Sequence, residues 1–139
     1  MEEKRFDQWN ETKKSLHVNG KRLLFREREI WWYAAGENLG REVNGKGDHF
    51  SRPILIIRKY GKDFFFGVPL SSVLHSESIW YSEINVAGKT GNALLSQASS
   101  FSVLRLYRKI SRVSKEDFIK ICERLQGLLF KKFPPSYYG

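Results

Sequence analysis

The chain has 139 residues, which suffices for one domain with a hydrophobic core and is too short for two domains of ordinary size. Its 24 lysines and arginines exceed its 15 acidic residues, which gives a net charge of +9 and favours an anionic partner. Nucleic acid is the first candidate, and an acidic polypeptide or a membrane surface is the second. One cysteine excludes an intrachain disulfide, and the charged start "MEEKRFDQWN" does not fit a signal peptide, so we expect a cytoplasmic protein that does not enter the membrane.

The first half of the chain predicts one helix and three strands. In "FDQWNETKKSLH", Phe6, Trp9 and Leu16 recur at helical spacing, which predicts a short amphipathic helix. The segment "EIWWYAAG" predicts a strand that ends at Gly36, and a polar loop follows over residues 36–52. The apolar runs "PILIIRKY" and "DFFFGVPL" predict two strands joined in a hairpin at Gly61-Lys62, with Pro69 at the end of its strand.

The second half predicts further strands and a closing helix. After a polar loop over residues 71–78, the segments "IWYSEINVAG", "ALLSQ" and "SFSVLRLYRKI" have the composition of strands. In "SKEDFIKICERLQGLLFKK", Ser114 and Asp117 have capping-box spacing ahead of a helical apolar stripe. We therefore predict a mainly β (α+β) protein, a small and strongly bent sheet or barrel with one C-terminal helix and an added N-terminal helix.

The pattern of polar residues excludes several kinds of chemistry. "GREVNGK" has the spacing of a phosphate-binding P-loop, but Gly47 stands where a magnesium-binding hydroxyl belongs, and a strand follows instead of a helix. His17, His49 and His75 are scattered and lack the acidic neighbours of a metal site. We expect no metal, no cofactor and no covalent nucleophile.

Two polar residues flank the predicted hairpin. Arg52 precedes the strand "PILII", and Ser71 follows the strand that ends "VPL". Antiparallel pairing would bring them to one rim of the sheet, beneath the glycine-bearing loop. A guanidinium beside a hydroxyl suits a phosphate group, although an ordinary pair of strand ends explains the pattern equally well.

Four ordered segments resemble the MazF/PemK toxins of bacterial type II toxin–antitoxin systems. "REIWWYAAGENLGREVNGKGDHFSRPILII" looks like the opening of the family, with its glycine-glutamate loop and Arg-Pro before a strand. "GVPLSS" resembles a Val-Pro-x-Thr-Ser segment, "LLSQASSFSVLRL" a segment built around Gln-Val-Arg-Thr, and "VSKEDFIKICERLQGLL" the final helix. The resemblance spans residues 29 to 130. We accordingly predict an N-terminal extension over 1–28, a barrel domain over 29–132 and a tail over 133–139.

The resemblance implies an SH3-like β-barrel that works as a homodimer and as a metal-independent endoribonuclease. Such an enzyme cuts single-stranded RNA, commonly mRNA, at short sequences. The ribose 2′-OH attacks the phosphorus and leaves a 2′,3′-cyclic phosphate and a 5′-OH. The catalytic arginine of the family falls on Arg52, its hydroxyl residue on Ser71 and its loop glutamate on Glu42.

The chemistry of these residues leaves the general base open. Arg52 has too high a pKa to act as a base, so Glu42 and His49 are the candidates, and Glu42 could equally position Arg52 or structure the loop. Ser96 and Ser99 stand where family members carry an aspartate and an arginine, which favours an Arg–hydroxyl site. For RNA binding we predict the loop cations, two aromatic residues that packing in the barrel would equally explain, and polar residues of the family segments: Arg41, Lys46, Trp80, Tyr81, Ser72, Gln97 and Ser99.

The resemblance also implies a partner, an antitoxin with a flexible segment. The charge of +9 favours an acidic and partly disordered segment. An alternative function is a non-catalytic nucleic-acid binder, or a gyrase poison like CcdB, on the same barrel. The ending Tyr-Tyr-Gly differs from the Trp-Gly-Ile through which that poison acts, and the presence of both Arg52 and Ser71 favours the nuclease.

Overall fold

The structure is a computed structural model that describes residues 3–47, 50–73, 78–130 and 136. It contains an N-terminal helix, seven strands interrupted by two short 3₁₀ turns, and a second helix. In chain order these are α1 (Phe6–Asn19), β1 (Glu29–Ala34), β2 (Ser51–Lys59), β3 (Phe64–Ser71), β4 (Tyr81–Val86), β5 (Lys89–Leu94), a 3₁₀ turn (Leu95–Gln97), β6 (Ser99–Ser102), a 3₁₀ turn (Val103–Arg105), β7 (Leu106–Arg112) and α2 (Lys115–Leu129).

The strands form one antiparallel sheet in the order β4-β5-β3-β2-β1-β7. One edge of β3 pairs with β2. Along its other edge, Phe64–Gly67 pairs with β6 and Leu70–Ser71 pairs with β5. The sheet therefore curls at β3 into a half-barrel, which confirms the predicted bent, mainly β fold with two helices.

The centre of strand β2 is uniformly apolar because both faces of the sheet are covered there. Leu55 packs into a cluster with Ile121 and Leu125 of α2. Its neighbours Ile54 and Ile56 point the other way, into a second cluster that includes Phe65. All three β2 side chains are 0% exposed. A run without polar alternation is what burial on both faces requires.

Several element boundaries differ from the prediction. Pro69 lies inside β3, at the gap between the residues that pair with β6 and those that pair with β5, where its missing N–H breaks no pairing along that edge. The β4–β5 hairpin turns at Ala87-Gly88, and both residues have positive φ. The sequence analysis did not predict this turn. Two predicted strands were partly wrong: "ALLSQ" finishes in a 3₁₀ turn, and "SFSVLRLYRKI" is interrupted by a second 3₁₀ turn after Ser102. The Ser102 hydroxyl accepts the N–H of Leu104 in that turn.

Both predicted helices are present. At the start of α2, the Ser114 hydroxyl accepts the backbone N–H of Asp117 at 3.1 Å, as the capping-box spacing predicts. Helix α1 buries Trp9 against Ala34 and Phe50. Gly36, with φ of +89°, lies directly against the same indole, so that a Cβ at this position would be 2.2 Å from a Trp9 ring atom.

The division of the chain at residues 28 and 132 stays a prediction. Among the described residues, no helix is long and apolar enough to span a bilayer.

Trp9→Ala is expected to lower the free energy of unfolding by about 3–5 kcal/mol, because it empties the contact between α1 and the sheet. Val18→Ala is the matched control, since Val18 lies on the same helix and is 77% exposed. Its effect should stay within about 0.5 kcal/mol. Urea unfolding measures both. Equal effects of the two substitutions would contradict the docking of α1.

Candidate active site

Arg52 is the second residue of β2, where it pairs with Tyr33 of β1. It was expected just before the strand, but the pairing of Ser51 with Ala34 extends β2 past it. Its Nε donates to the carbonyl of Asn44 at 2.9 Å, and its Nη1 donates to the carbonyl of Leu70 at 3.2 Å. These bonds join the glycine-bearing loop to the end of β3 and fix the plane of the guanidinium.

The charge of Arg52 is not neutralised within the described part of the chain. There, no carboxylate oxygen lies within 4.0 Å of its nitrogens, and both hydrogen bonds go to uncharged carbonyls. Burial lowers the pKa of Arg52, an effect that the Coulombic interaction with Tyr33 partly offsets. An arginine nevertheless stays cationic in a protein. A half-buried cation with unused donors and no acidic partner favours the binding of an anion.

Ser71 ends β3 and reaches the same cleft as Arg52. Ile54 pairs with Pro69, and this register continued by two residues places Arg52 opposite Ser71. Both line a cleft of about 260 Å³. The Ser71 hydroxyl accepts the backbone N–H of Val73 at 3.2 Å, which leaves its own proton free to donate. The hairpin thus brings the two residues together, as predicted.

Gln97 ties the wall of this cleft to the loop. Its Oε1 accepts the N–H of Val43 at 3.3 Å, and its Nε2 donates to the carbonyl of Arg41 at 3.4 Å. The predicted RNA-binding amide is therefore engaged with the loop backbone. Residues of the loop, of the segment after β3, of β4, of β5 and of the 3₁₀ turn after β5 complete the lining: Arg41, Val43, Val73, Tyr81, Leu94, Ser96 and Gln97.

The loop that presents Asn44 is held by its own hydrogen bonds. The Asn44 side chain accepts the N–H of Asn38 at 2.6 Å, and the Asn38 amide donates to the carbonyls of Ala35 and Val43. Only glycine fits at position 45, because the Cβ of any other residue would lie 1.5 Å from the carbonyl oxygen of Phe50. The carbonyl that orients Arg52 therefore belongs to a tightly tied segment.

A second, larger cleft of about 540 Å³ lies against the same arginine. Arg52 lines both clefts, together with Val43. Lys46 lines the larger cleft and Arg41 the smaller one, so the two loop cations predicted to bind RNA line different clefts. The larger cleft also contains the N-terminal residues Glu3, Lys4 and Arg5.

Other predicted site residues lie apart from these clefts. The Glu42 carboxylate accepts the N–H of Leu39 at 3.0 Å, within its own turn. Ser99 pairs with Gly67 at the β3–β6 edge, and Ser72 is exposed. Among the described linings, none of these three contributes to either cleft. Trp80 is 48% exposed rather than packed in the barrel, whereas His49 lies outside the described residues.

Sequence reasoning missed the backbone and the N-terminal parts of the site. The role of Asn44 rests on a backbone carbonyl, for which side-chain identity gives no signal. Lys4 and Arg5 precede the resemblance, so no motif pointed to them. Over the ranges that the structure describes, no three histidine, cysteine, aspartate or glutamate residues are grouped to hold a metal ion.

The fold and the cleft define a small basic half-barrel with an arginine–serine pair at one end of its central hairpin. The sequence profile of the PemK-like, MazF-like toxins of type II toxin–antitoxin systems matches residues 26–129. The chain belongs to this family. Comparison with curated proteins gives no match.

Solved structures share the fold at low sequence identity. MazF from Deinococcus radiodurans (Form-I) superposes with a TM-score of 0.62 at 16% identity, over 77% of this chain and 97% of that one. A mycobacterial endoribonuclease in complex with its cognate antitoxin gives 0.58 at 14% identity, over 80% and 100%. The MazE–MazF complex from D. radiodurans (Form-II) gives 0.54 at 14% identity, over 79% and 99%.

Proposed function

We propose that this protein is the toxin of a type II toxin–antitoxin system and acts as an endoribonuclease on single-stranded RNA in the cytoplasm. It cuts at short sequences without a metal ion, by attack of the ribose 2′-OH, and leaves a 2′,3′-cyclic phosphate and a 5′-OH. The observation that carries the proposal is the half-buried guanidinium of Arg52, which has no acidic partner in the described chain and shares a cleft with Ser71. Family membership supports the same reading.

In the proposed chemistry, Arg52 stabilises the negative charge that develops in the transition state. In-line attack builds negative charge on the oxygens of a five-coordinate phosphorus, and a fixed cation aimed there lowers the barrier. The carbonyls of Asn44 and Leu70 hold Arg52 in place before the substrate arrives, so little reorganisation is needed. Ser71 donates its free hydroxyl proton to a second non-bridging oxygen. Partial burial strengthens both interactions, because water screens them less.

Of the two candidate bases, only Glu42 lies among the residues that the structure describes. The Glu42 carboxylate already accepts the N–H of Leu39 and lies outside the described lining of the cleft, which favours a role in shaping the loop. Tyr33, which pairs with Arg52, is unsuited to act as a base because burial raises its pKa above the ordinary value of a tyrosine, so it stays protonated. His49, three residues before Arg52 in the sequence, is therefore the base that we propose first.

The surface around the smaller cleft suits single-stranded RNA. Arg41 at its wall provides a cation for a neighbouring phosphate, and Tyr81 and the exposed Trp80 follow each other at the start of β4. Aromatic faces bind unstacked bases of any sequence. In a duplex the bases are stacked and the backbone is constrained, so we expect single strands to be cut in preference.

Arg52→Ala is expected to lower kcat/KM for RNA cleavage by about a hundredfold or more, because it removes the fixed cation. Arg52→Lys keeps the charge but not the planar fork, so it should recover only part of the rate. Ser71→Ala should cost less than Arg52→Ala, because a neutral donor contributes less than a charged one. Cleavage of a labelled single-stranded RNA measures all three.

The control is Arg58→Ala, which removes the same charge from the same strand at an exposed position. It should cleave like the wild type. Thermal unfolding of each variant separates lost chemistry from lost structure, since Arg52 also ties the loop to β3. A folded Arg52→Ala protein that cuts at the wild-type rate would end the catalytic assignment. RNA binding without cleavage by the wild type would favour the non-catalytic binder.

The partner that we propose is a co-produced antitoxin with an acidic, partly disordered segment, bound to a homodimer of this chain. Two of the superposed structures contain an antitoxin, and the net charge of +9 favours an acidic ligand.

Carboxylates of such a segment would approach Arg41, Lys46 and Arg52, so RNA and antitoxin should compete. Titrating antitoxin against fluorescent, uncleavable RNA tests this: simultaneous binding at unchanged RNA affinity would contradict occlusion. Sedimentation at the monomer mass would exclude the dimer.

A further inference from the structure

The larger cleft beside Arg52 is walled by the N-terminal segment, which precedes the family match at residue 26. The loop segment from Val43 to Gly47 lines this cleft, and so do the N-terminal residues Glu3, Lys4 and Arg5. Arg52 is the only cation that lines both clefts in the described part of the chain. A ligand bound in this cleft would therefore lie next to one bound at Arg52 and Ser71.

Arg5 fixes the N-terminal segment to the loop. Its guanidinium pairs with the buried carboxylate of Glu37 at 3.1 Å and donates to the carbonyls of Gly45 at 3.4 Å and Gly47 at 3.0 Å. It also lies over the ring of Phe50, 4.3 Å from the centroid. These contacts span about forty residues of sequence, so they hold the segment that carries Lys4 against the loop.

The helix behind this segment docks on the same loop. The Trp9 indole packs on Phe50, with ring centroids 5.5 Å apart, and its contact with Gly36 leaves no room for a Cβ. Gly36 in turn accepts the N–H of Gly45 through its carbonyl at 2.7 Å. The wall of the cleft is therefore anchored from two sides, at Arg5 and at Trp9.

The lining of the cleft is cationic. Four basic side chains, Lys4, Arg5, Lys46 and Arg52, face two carboxylates, Glu3 and Glu37. Glu37 is already paired with Arg5. Within the described ranges, Lys4 of the N-terminal segment and Lys46 of the loop form no ion pair and no side-chain hydrogen bond. Two ammonium groups and the guanidinium of Arg52 thus line one cleft of about 540 Å³, which has room for an anion.

We propose that this cleft binds a second phosphate group of the RNA, next to the one that reacts at Arg52 and Ser71. The inference rests on the proposed function and adds the N-terminal segment to the substrate site. Lys4 contacts the phosphate from the N-terminal segment and Lys46 contacts it from the loop, and Arg5 positions Lys4. The phosphate diester is recognised by charge, so this contact strengthens binding irrespective of base sequence.

The test uses a single-stranded RNA that carries the mapped cleavage sequence with flanks on both sides and a 2′-deoxy sugar at the attacking position. Dissociation constants are measured over a range of salt concentrations for wild type, Lys4→Gln, Lys46→Gln and the double variant. Each single substitution should weaken binding by up to about fivefold at moderate salt. It should also reduce the slope of log K against log salt by about 0.7, and the double variant by about twice that.

Lys120→Gln is the matched control, because it removes the same charge from the exposed face of α2, and no α2 residue lines either cleft. Its salt slope should equal that of the wild type. If Lys4→Gln keeps the slope of Lys120→Gln while the wild type binds and cleaves RNA, the second phosphate site is wrong and the proposed function stands. If the wild type neither binds nor cleaves the RNA, the proposed function itself fails.

Discussion

The site depends on one constraint, the two backbone carbonyls that hold the guanidinium of Arg52. Asn44 supplies one from the loop and Leu70 supplies the other from the end of β3, so the arginine joins two segments that only the fold brings together. Neither partner is charged. Arg52 is thus oriented without being neutralised, which leaves its charge available for a ligand. An aspartate in either place would have fixed the side chain equally well and satisfied its charge.

The rest of the architecture serves that arrangement. The β2–β3 register sets Ser71 opposite Arg52, and burial of β2 on both faces makes the register hard to shift, because a slip by one residue would exchange the two apolar clusters. The loop that carries Asn44 is braced by Gln97 on one side and by Arg5 on the other. Trp9 of α1 packs on Phe50 at the end of the same loop, so the N-terminal segment and its helix both support the loop.

The sequence predicted what local pattern controls and missed what long-range contacts control. Apolar runs and the Gly61-Lys62 turn located β2 and β3, and Ser114 marked the start of α2. One local feature, the turn at Ala87-Gly88, was also missed, because positive φ in a non-glycine residue has no reliable signature in sequence. Arg52 and Ser71 were found through the hairpin and the family resemblance. Asn44 and Lys4 were not, because a carbonyl and an N-terminal lysine gain their positions only from contacts distant in sequence.

The central claim is that the Arg52–Ser71 cleft cleaves RNA without a metal ion. The most direct measurement incubates the purified wild-type protein with a long single-stranded RNA in EDTA and maps both ends of every fragment. The account predicts cuts at a few short sequences, each with a 5′-OH on one fragment and a 2′,3′-cyclic phosphate on the other. Intact RNA, 5′-phosphate ends or cleavage that requires added divalent metal would contradict it.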